Sequence, residues 1–474
     1  MIESFSFSPI TTAARRLAAA ASLVTSPVAG RVKGRFTGLV KGITTGAVLA
    51  AMVPATSAQA IDIQRVVTPL GIEVWLVEEK TLPLIAMNFS FRGGAAQDEP
   101  ETSGTATVLS AMLTEGAGGF DAEAFQTELE ERAVRMSFSA GRDSFSGSLR
   151  TLAEEREDAF DLLALALTRP RFDADALDRV RGKLQASIRR DMANPNAMAG
   201  RAWSQAVFAN HPYGRSVDGT PDSIARIDDE VLREFHRRTL ARDNLVIGVV
   251  GDVNADEIKA LVDRAFGGLP EKSELTPVQN VVLPGEGFVR PVELAVPQTV
   301  IRFGMRGLER DDPDFIPAFV LNHILGGGSF TSRLWFAVRE ERGLAYSVYS
   351  FLNPLDHVAL WTGGTATSAA QADQAMDVIR QEIERMAEEG PSAEELEAAK
   401  RYLIGAFPLR FDTNSRIAQQ LVGYQIDGLG IDYFIKRNDL VNAVTLDDVQ
   451  RVAKRLFDES ALYVVKVGQF GSDG

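Results

Sequence analysis

From residue 61 onward the chain reads as a strand-rich opening followed by helices, and then the same again. Strand-like patterning occurs at Val74-Trp75-Leu76-Val77 and at Ile85-Ala86-Met87-Asn88-Phe89-Ser90-Phe91. Amphipathic stretches from Ala122 to Ala133 and from Glu154 to Leu167 predict helices. A second strand-rich start comes at Thr299-Val300-Ile301-Arg302-Phe303, again followed by helical stretches.

The halves also match in detail. Ile227 to Gly251 (IDDEVLREFHRRTLARDNLVIGVVG) aligns without a gap on Val444 to Gly468 (VTLDDVQRVAKRLFDESALYVVKVG). Each is a helix, a short polar turn and an apolar strand ending in glycine. The upstream helices beginning at Phe172 and Pro391 correspond in position. Chance likeness of two generic helix–strand units is the competing explanation, and the equal spacing argues against it. The pattern predicts an α+β protein of two homologous domains, residues 61–275 and 276–474. The expected seam is Pro277 to Pro291, with a linker between about Lys272 and Phe288.

Composition narrows the chemistry. A length of 474 residues suffices for two cores, and 24% charged residues with 45% hydrophobic ones exclude global disorder. The absence of cysteine excludes disulfides and thiolate–zinc sites. The four histidines are His211, His236, His323 and His357, and no two sit at metal-ligand spacing along a helix.

The first sixty residues differ from the rest. They hold Arg15, Arg16, Arg31, Lys33, Arg35 and Lys41 against one acid, Glu3. An apolar run from Gly42 to about Ala55 leads into Ser57-Ala58-Gln59-Ala60. A basic flank, an apolar segment and an A-x-A ending are the parts of a secretory signal. An uncleaved anchor is the alternative, but the run is short for a membrane span and glycine and proline interrupt it. Residues 1–60 are therefore expected to be a signal peptide cleaved after Ala60, giving a periplasmic or otherwise exported protein with no membrane contact afterwards. The whole chain carries a formal charge of −14; losing six basic residues and one acid makes it −19. So acidic a protein is not expected to bind nucleic acid through its phosphates.

The segment FRGGAAQDEPETSGTATVLSAMLTEGAG, Phe91 to Gly118, resembles the start of the pitrilysin/insulinase zinc peptidases, in particular the half-length branch that includes the mitochondrial processing peptidases. The likeness covers nearly all of Ile61 to Gly468. It implies two domains, each a mainly antiparallel sheet packed with helices, together forming one half of a clam-shaped peptidase. In that family a helix carries H-x-x-E-H, whose histidines at i and i+4 face one way to bind zinc while the glutamate polarises a zinc-bound water. The matching positions here are Thr107, Ser110 and Ala111, and the family's third ligand falls on Ser187 by spacing. Ala111 offers no donor atom, and hydroxyls are poor zinc ligands beside imidazole and carboxylate. No metal is expected in this chain.

The second half is closer to the family pattern. His323-Ile324-Leu325-Gly326-Gly327-Gly328-Ser329-Phe330-Thr331-Ser332-Arg333-Leu334 is similar to the family's loop before a long helix. Val338-Arg339-Glu340-Glu341-Arg342-Gly343-Leu344-Ala345-Tyr346-Ser347-Val348 follows. The resemblance implies that Arg339 and Tyr346 reach toward a zinc in another half of the clam. Independently, a tyrosine hydroxyl can donate to a tetrahedral oxyanion, and a guanidinium can hold a carbonyl. The plain alternative is that Arg339 pairs with a neighbouring acid and Tyr346 is half-buried. Gly326, Gly327 and Gly328 read first as a helix stop and second as a substrate-binding stretch that lets a peptide backbone approach. His323 overlays on Ala111 and is read as structural, as is the turn His211-Pro212-Tyr213-Gly214-Arg215.

The resulting expectation is a catalytically dead subunit of a heterodimeric zinc peptidase that degrades unfolded peptides. Its partners would be a zinc-bearing paralogue and an extended peptide substrate, with zinc held in the partner chain. The alternative is a non-enzymatic peptide-binding or scaffolding protein of the cell envelope. A self-sufficient serine hydrolase is disfavoured because no G-x-S-x-G elbow occurs. Export predicts a native chain beginning at Ile61, checked by mass spectrometry of its amino-terminal peptide; native soluble protein retaining residues 1–40 would contradict it.

Overall fold

A computed structural model describes residues 62–457 and 461–470, and the expected signal peptide lies outside them. Six strands build the first sheet: β1 (Gln64–Val67), β2 (Glu73–Glu78), β3 (Leu84–Arg92), β4 (Arg135–Ala140), β5 (Ser144–Leu152) and β6 (Leu245–Gly251). Five build the second: β7 (Phe288–Glu293), β8 (Gln298–Arg306), β9 (Ala345–Leu355), β10 (Val358–Ser368) and β11 (Tyr463–Gly468). The spatial orders are β1-β2-β6-β3-β5-β4 and β7-β11-β8-β10-β9.

The pairing senses repeat. In each sheet one parallel pair, β2 with β6 or β7 with β11, is followed by three antiparallel pairs. The mostly antiparallel α+β class is therefore what the chain adopts, and the repeat holds at the level of strand order.

Helices α1 (Thr105–Met112), α2 (Ala122–Glu131), α3 (Arg156–Thr168), α4 (Ala174–Asp191), α5 (Pro195–Val207), α6 (Pro221–Ala225), α7 (Asp229–Thr239) and α8 (Ala255–Phe266) belong to the first half. The second half has α9 (Phe315–Asn322), α10 (Ala372–Glu389), α11 (Ala393–Ala406), α12 (Asn414–Ile426), α13 (Tyr433–Ala443) and α14 (Leu446–Phe457). Their starts are legible as caps. Asn254 with Glu257 opens α8 and Ser392 with Glu395 opens α11 as reciprocal capping boxes. The stretch expected to run to Ala133 stops at Glu131, because Ala133 adopts a left-handed φ of 53°. Pro291, expected in the seam, lies inside β7, an edge strand where a missing donor is tolerated.

One face of each sheet packs on its own helices. The first core gathers Met87, Phe89, Phe91, Leu109, Phe160 and Phe266, and the second gathers Ile301, Phe303, Leu321, Met376, Val452 and Trp361. The other face of each sheet is covered by a helix from the opposite half. Helix α12 lies on β6 and β3, where Ala418, Leu421 and Tyr424 bury Trp75, Val77 and Val250. Reciprocally, α5 lies on β11 and β8, and Ala199, Ala202 and Trp203 pack with Val300, Leu360 and Val465. Hydrogen bonds from Asn88 Nδ2 to the Ser415 carbonyl (3.2 Å) and from Gln425 Nε2 to the Ile247 carbonyl (3.0 Å) fix α12 on its foreign sheet. The described residues accordingly form a single compact unit.

The exchange needs small residues where helix meets strand. A Cβ on Gly248 of β6 would come within 2.6 Å of the Ala418 carbonyl oxygen and 2.8 Å of Leu421 Cβ. Overpacking of this kind costs about 1–3 kcal/mol. Gly248→Val is expected to lower the melting temperature by several degrees, whereas Gly182→Ala, on α4 with open space around it, should leave it unchanged or raise it slightly. Equal melting temperatures for Gly248→Val and the unaltered protein would contradict this seating of α12.

Candidate functional site

Helix α1 carries the positions where the resemblance places H-x-x-E-H. Asp98 starts it, its carboxylate accepting from the backbone N–H of Gly104 (2.7 Å) and Ala106 (3.0 Å). Val108, Leu109 and Met112 fill the core, while Thr107, Ser110 and Ala111 share a half-buried face. Thr107 Oγ1 donates to the Val217 carbonyl (2.9 Å) and Ser110 Oγ to the Thr107 carbonyl (2.8 Å). Ser187 lies on α4, which packs against α1. Of the four, Thr107 and Ser110 are hydroxyls already committed to backbone carbonyls, Ser187 is a further hydroxyl and Ala111 a methyl group, so the donor set does not fit zinc. Among the described residues no group of three or more histidines or carboxylates could hold a metal ion.

The second half presents a built surface. The expected long helix is not continuous here. Helix α9 widens into a π-type turn at His323–Gly327, and after Ser332 caps a short turn at Arg333–Trp335 the helix widens again over Phe336–Glu340. The chain then turns at Gly343, whose φ is +59°, and enters β9. Hydrogen bonds from Gly343 N to the Arg339 carbonyl and from Leu344 N to the Val338 carbonyl, both 2.9 Å, close that turn.

Arg339 and Tyr346 meet across it. The Arg339 guanidinium lies 4.2 Å from the Trp335 ring centre and 4.4 Å from that of Tyr346, and Arg339 Nη1 donates to the Tyr346 carbonyl at 2.9 Å. Phe330 stands edge-on to Trp335 at 4.5 Å and extends the aromatic stack. Neither plain alternative describes this arrangement: Arg339 is held between two rings, and Tyr346 is 81% exposed. A register irregularity in the β9–β10 ladder, between Thr365 and Thr367, leaves both Tyr346 and Ser347 facing out.

The glycine triplet has a packing reason of its own. A Cβ on Gly326 would meet Ser350 Oγ at 2.3 Å, and one on Gly327 would meet Asn322 Nδ2 at 2.7 Å. These contacts let α9 end against β9, where Asn322 Oδ1 accepts from Ser350 Oγ and Trp361 Nε1 at 2.8 Å each. Gly327 is exposed and Gly328 partly so. His323 is buried and stacks on Tyr402 (4.9 Å, 19°), and burial pushes its imidazole pKa down, favouring a neutral ring. In the first half, Tyr213 is buried and donates to Asp143 Oδ1 at 2.6 Å, locking the His211–Arg215 turn.

Residues 74–221 match the description "Insulinase (Peptidase family M16)" and residues 226–403 match "Peptidase M16 inactive domain". An uncharacterized zinc protease of Mycobacterium leprae is 30% identical over 316 residues, 65% of this chain and 70% of that one. The chain belongs to the insulinase family, peptidase family M16.

Two further proteins are similar to it. A protein of Helicobacter pylori called a non-peptidase homolog is 26% identical over 380 residues, covering 79% of this chain and 85% of that one. A crystal structure of a peptidase M16 inactive domain from Pseudomonas fluorescens superposes with a TM-score of 0.82 at 28% identity, covering 87% of this chain and 99% of that one. In this chain the inactive-domain description falls on residues 226–403, and the resemblance places Thr107, Ser110 and Ala111 at the peptidase motif of the first half.

Sequence reading missed what holds the arginine–tyrosine segment in place. Arg333 donates from Nε to Glu395 Oε1 (2.7 Å), and from Nη2 to Glu395 Oε2 (2.8 Å) and the Gly390 carbonyl (3.0 Å), tying the Trp335 turn to α11. The Ser-x-x-Glu cap of α11 was visible in the sequence, but the arginine from 62 residues away was not. The two hydrogen bonds from Arg333, helped by Ser392, hold the Glu395 carboxyl down at about 2. A carboxyl depressed in the folded state adds stability above its unfolded value, and that stability disappears as pH falls from about 4.5 toward 2. Glu395→Gln should therefore lower the melting temperature at pH 7, and the gap from the unaltered protein should close across that acid window. A gap that stayed constant from pH 7 to pH 2.5 would remove Glu395 from this role.

Proposed function

We propose that this chain is the zinc-free subunit of a heterodimeric M16 peptidase and that it contributes Arg339 and Tyr346 to the active site of a zinc-bearing paralogue. The observation that carries the reading is the state of Tyr346. Its ring and its carbonyl are both held by Arg339, yet it is 81% exposed. A tyrosine placed for stability buries its ring; one placed to meet something outside the chain looks like this one.

Attack on a peptide carbonyl develops negative charge on its oxygen, and a donor fixed at that point favours the transition state over the ground state. The partner would supply the metal and its water. This chain's part is a positioned hydroxyl and a delocalised positive charge beside it. The degradation of extended peptides, the export of the chain and cleavage after Ala60 belong to the same proposal, supported by the basic–apolar–small pattern of residues 1–60 and the acidity of the remainder.

The test mixes the chain with a zinc-bearing M16 paralogue from the same cell and follows cleavage of an unfolded peptide, with complex formation as control. Tyr346→Phe removes only a hydroxyl and should lower turnover roughly a hundredfold, about 3 kcal/mol, without altering assembly. Arg339→Ala should lower turnover and also weaken peptide capture, because it deletes the charge and frees the Tyr346 ring. Normal complexes of Tyr346→Phe that cut at the unaltered rate would sink the assisting role and leave a scaffolding protein in its place.

A further inference from the structure

Away from Arg339 and Tyr346, a cleft of about 800 Å³ lies between α5, the end of α4, the loop through Arg215 to Thr220, and the outer face of β8, β9 and β10. Its size is that of a small-molecule site. Four arginines reach it, Arg142, Arg201, Arg215 and Arg302, against two carboxylates, Asp191 and Asp218. In a chain whose net charge is −14, a wall with an excess of guanidinium groups needs a reason.

Two of the four are spoken for. Arg142 donates to the Tyr213 carbonyl and to Ser204 Oγ, and Arg215 donates to the Asp98 carbonyl. The side chains of Arg201 and Arg302 form no hydrogen bond or ion pair among the described residues, although elsewhere the arginines find carboxylates readily, as Arg237 does with Glu234 and Glu274 and Arg455 with Asp312 and Asp314. Asp218 feels Arg201 electrostatically, but burial and neighbouring Asp191 push its carboxyl pKa up.

Arg302 is the sharper case. It comes from β8, and its guanidinium lies alongside α5 near Gly200, where even an added Cβ would stand 3.8 Å away. Its Nε is shut off from solvent with no partner. Thr362 Oγ1, from neighbouring β10, is likewise buried and unpartnered in a residue only 8% exposed. Buried polar atoms without partners cost about 1–3 kcal/mol each, so native structures keep few of them. Both side chains line the same cleft, and Trp203, Phe351 and Leu355 give it apolar walls.

We infer that the cleft binds an anionic group, a carboxylate or a phosphate, carried on an aromatic or aliphatic body. Arg302 and Arg201 supply the charge, Thr362 supplies a hydroxyl donor, and the apolar walls take the body of the ligand. The site lies within this chain and requires no zinc-bearing partner.

The test is calorimetric titration of the chain alone with three probes: N-acetyl-Phe-Phe as the free acid, the same peptide as its carboxyl-terminal amide, and phenyl phosphate. At least one anion should bind one-to-one, and the amide should bind at least tenfold more weakly than the acid if the acid binds. Binding of the acid alone assigns a carboxylate ligand, and binding of phenyl phosphate alone a phosphate ligand. Arg302→Gln should weaken the bound anion at least tenfold at an unchanged melting temperature, and Thr362→Val should weaken it less. Should Arg302→Gln fail to fold, Arg201→Gln carries the same expectation. No binding of either anion, equal binding of acid and amide, or unchanged affinity in a folded arginine variant overturns the assignment.

Discussion

Each sheet of this protein is sandwiched between its own helices and one helix borrowed from the other half, and that exchange is the constraint on which the rest depends. Trp75, Val77 and Val250 would face water without α12, and Val300, Leu360 and Val465 without α5. Full burial of a large apolar side chain is worth about 1.5–3 kcal/mol. Uncovering one such face would therefore forfeit a sum on the order of a domain's whole net stability, about 5–15 kcal/mol. Neither half is an independent module in energetic terms, although each has its own core. The elements that bear candidate chemistry are fixed because they hang from this doubly covered frame. Helices α1 and α9 start from sheets that cannot rotate against one another without opening a core.

The duplication explains where the halves differ. Helices α1 and α9 occupy corresponding places after β3 and β8, yet they end differently. Helix α1 is followed by Leu113 and an ordinary turn, with its half-buried face left to short hydroxyls and a methyl group. Helix α9 widens and runs into glycines pressed against β9, which turns the following segment outward toward Arg339 and Tyr346. Threonine, serine and alanine on that face of α1 cost the fold little, because Val108, Leu109 and Met112 on the opposite face anchor the helix. The Thr107 hydroxyl finds a carbonyl on a neighbouring loop, so no polar group there is left stranded.

Much of the fold was legible in the chain because it is written in local periodicity. Strands β2, β3 and β8 fall where short apolar runs predicted them, and the aligned segments ending at Gly251 and Gly468 do form corresponding helix–strand units. The exchange was not legible, although a signal existed. The run Leu245-Val246-Ile247-Gly248-Val249-Val250-Gly251 has no polar alternation, as expected of a strand buried on both faces, but it cannot say which helix provides the second cover. At the candidate site the same division holds. The spacing of Arg339 and Tyr346 was visible, and Trp335 one helical turn before Arg339 could have suggested a stacked cation. The tie from Arg333 to Glu395 and the convergence of Arg302 with Thr362 depend on tertiary contacts that no local pattern encodes.

Preorganisation ties the site back to the frame. Tyr346 has two soft side-chain torsions and sits on an edge strand, where an unsupported ring would wander. Arg339 restrains it by stacking and by a hydrogen bond to its own carbonyl, and Trp335 backs the guanidinium from the other side. Trp335 is held in turn by the Arg333–Glu395 tie to α11, a helix of the second core. Every link in that chain ends on packed structure except the last. Among the described residues the tyrosine hydroxyl has no hydrogen-bond partner, and its ring is mostly in water, so neither adds much to stability. Order imposed on a group that contributes little to the fold is order available for a ligand or a partner surface, because the entropy of fixing it has already been offset by the contacts beneath.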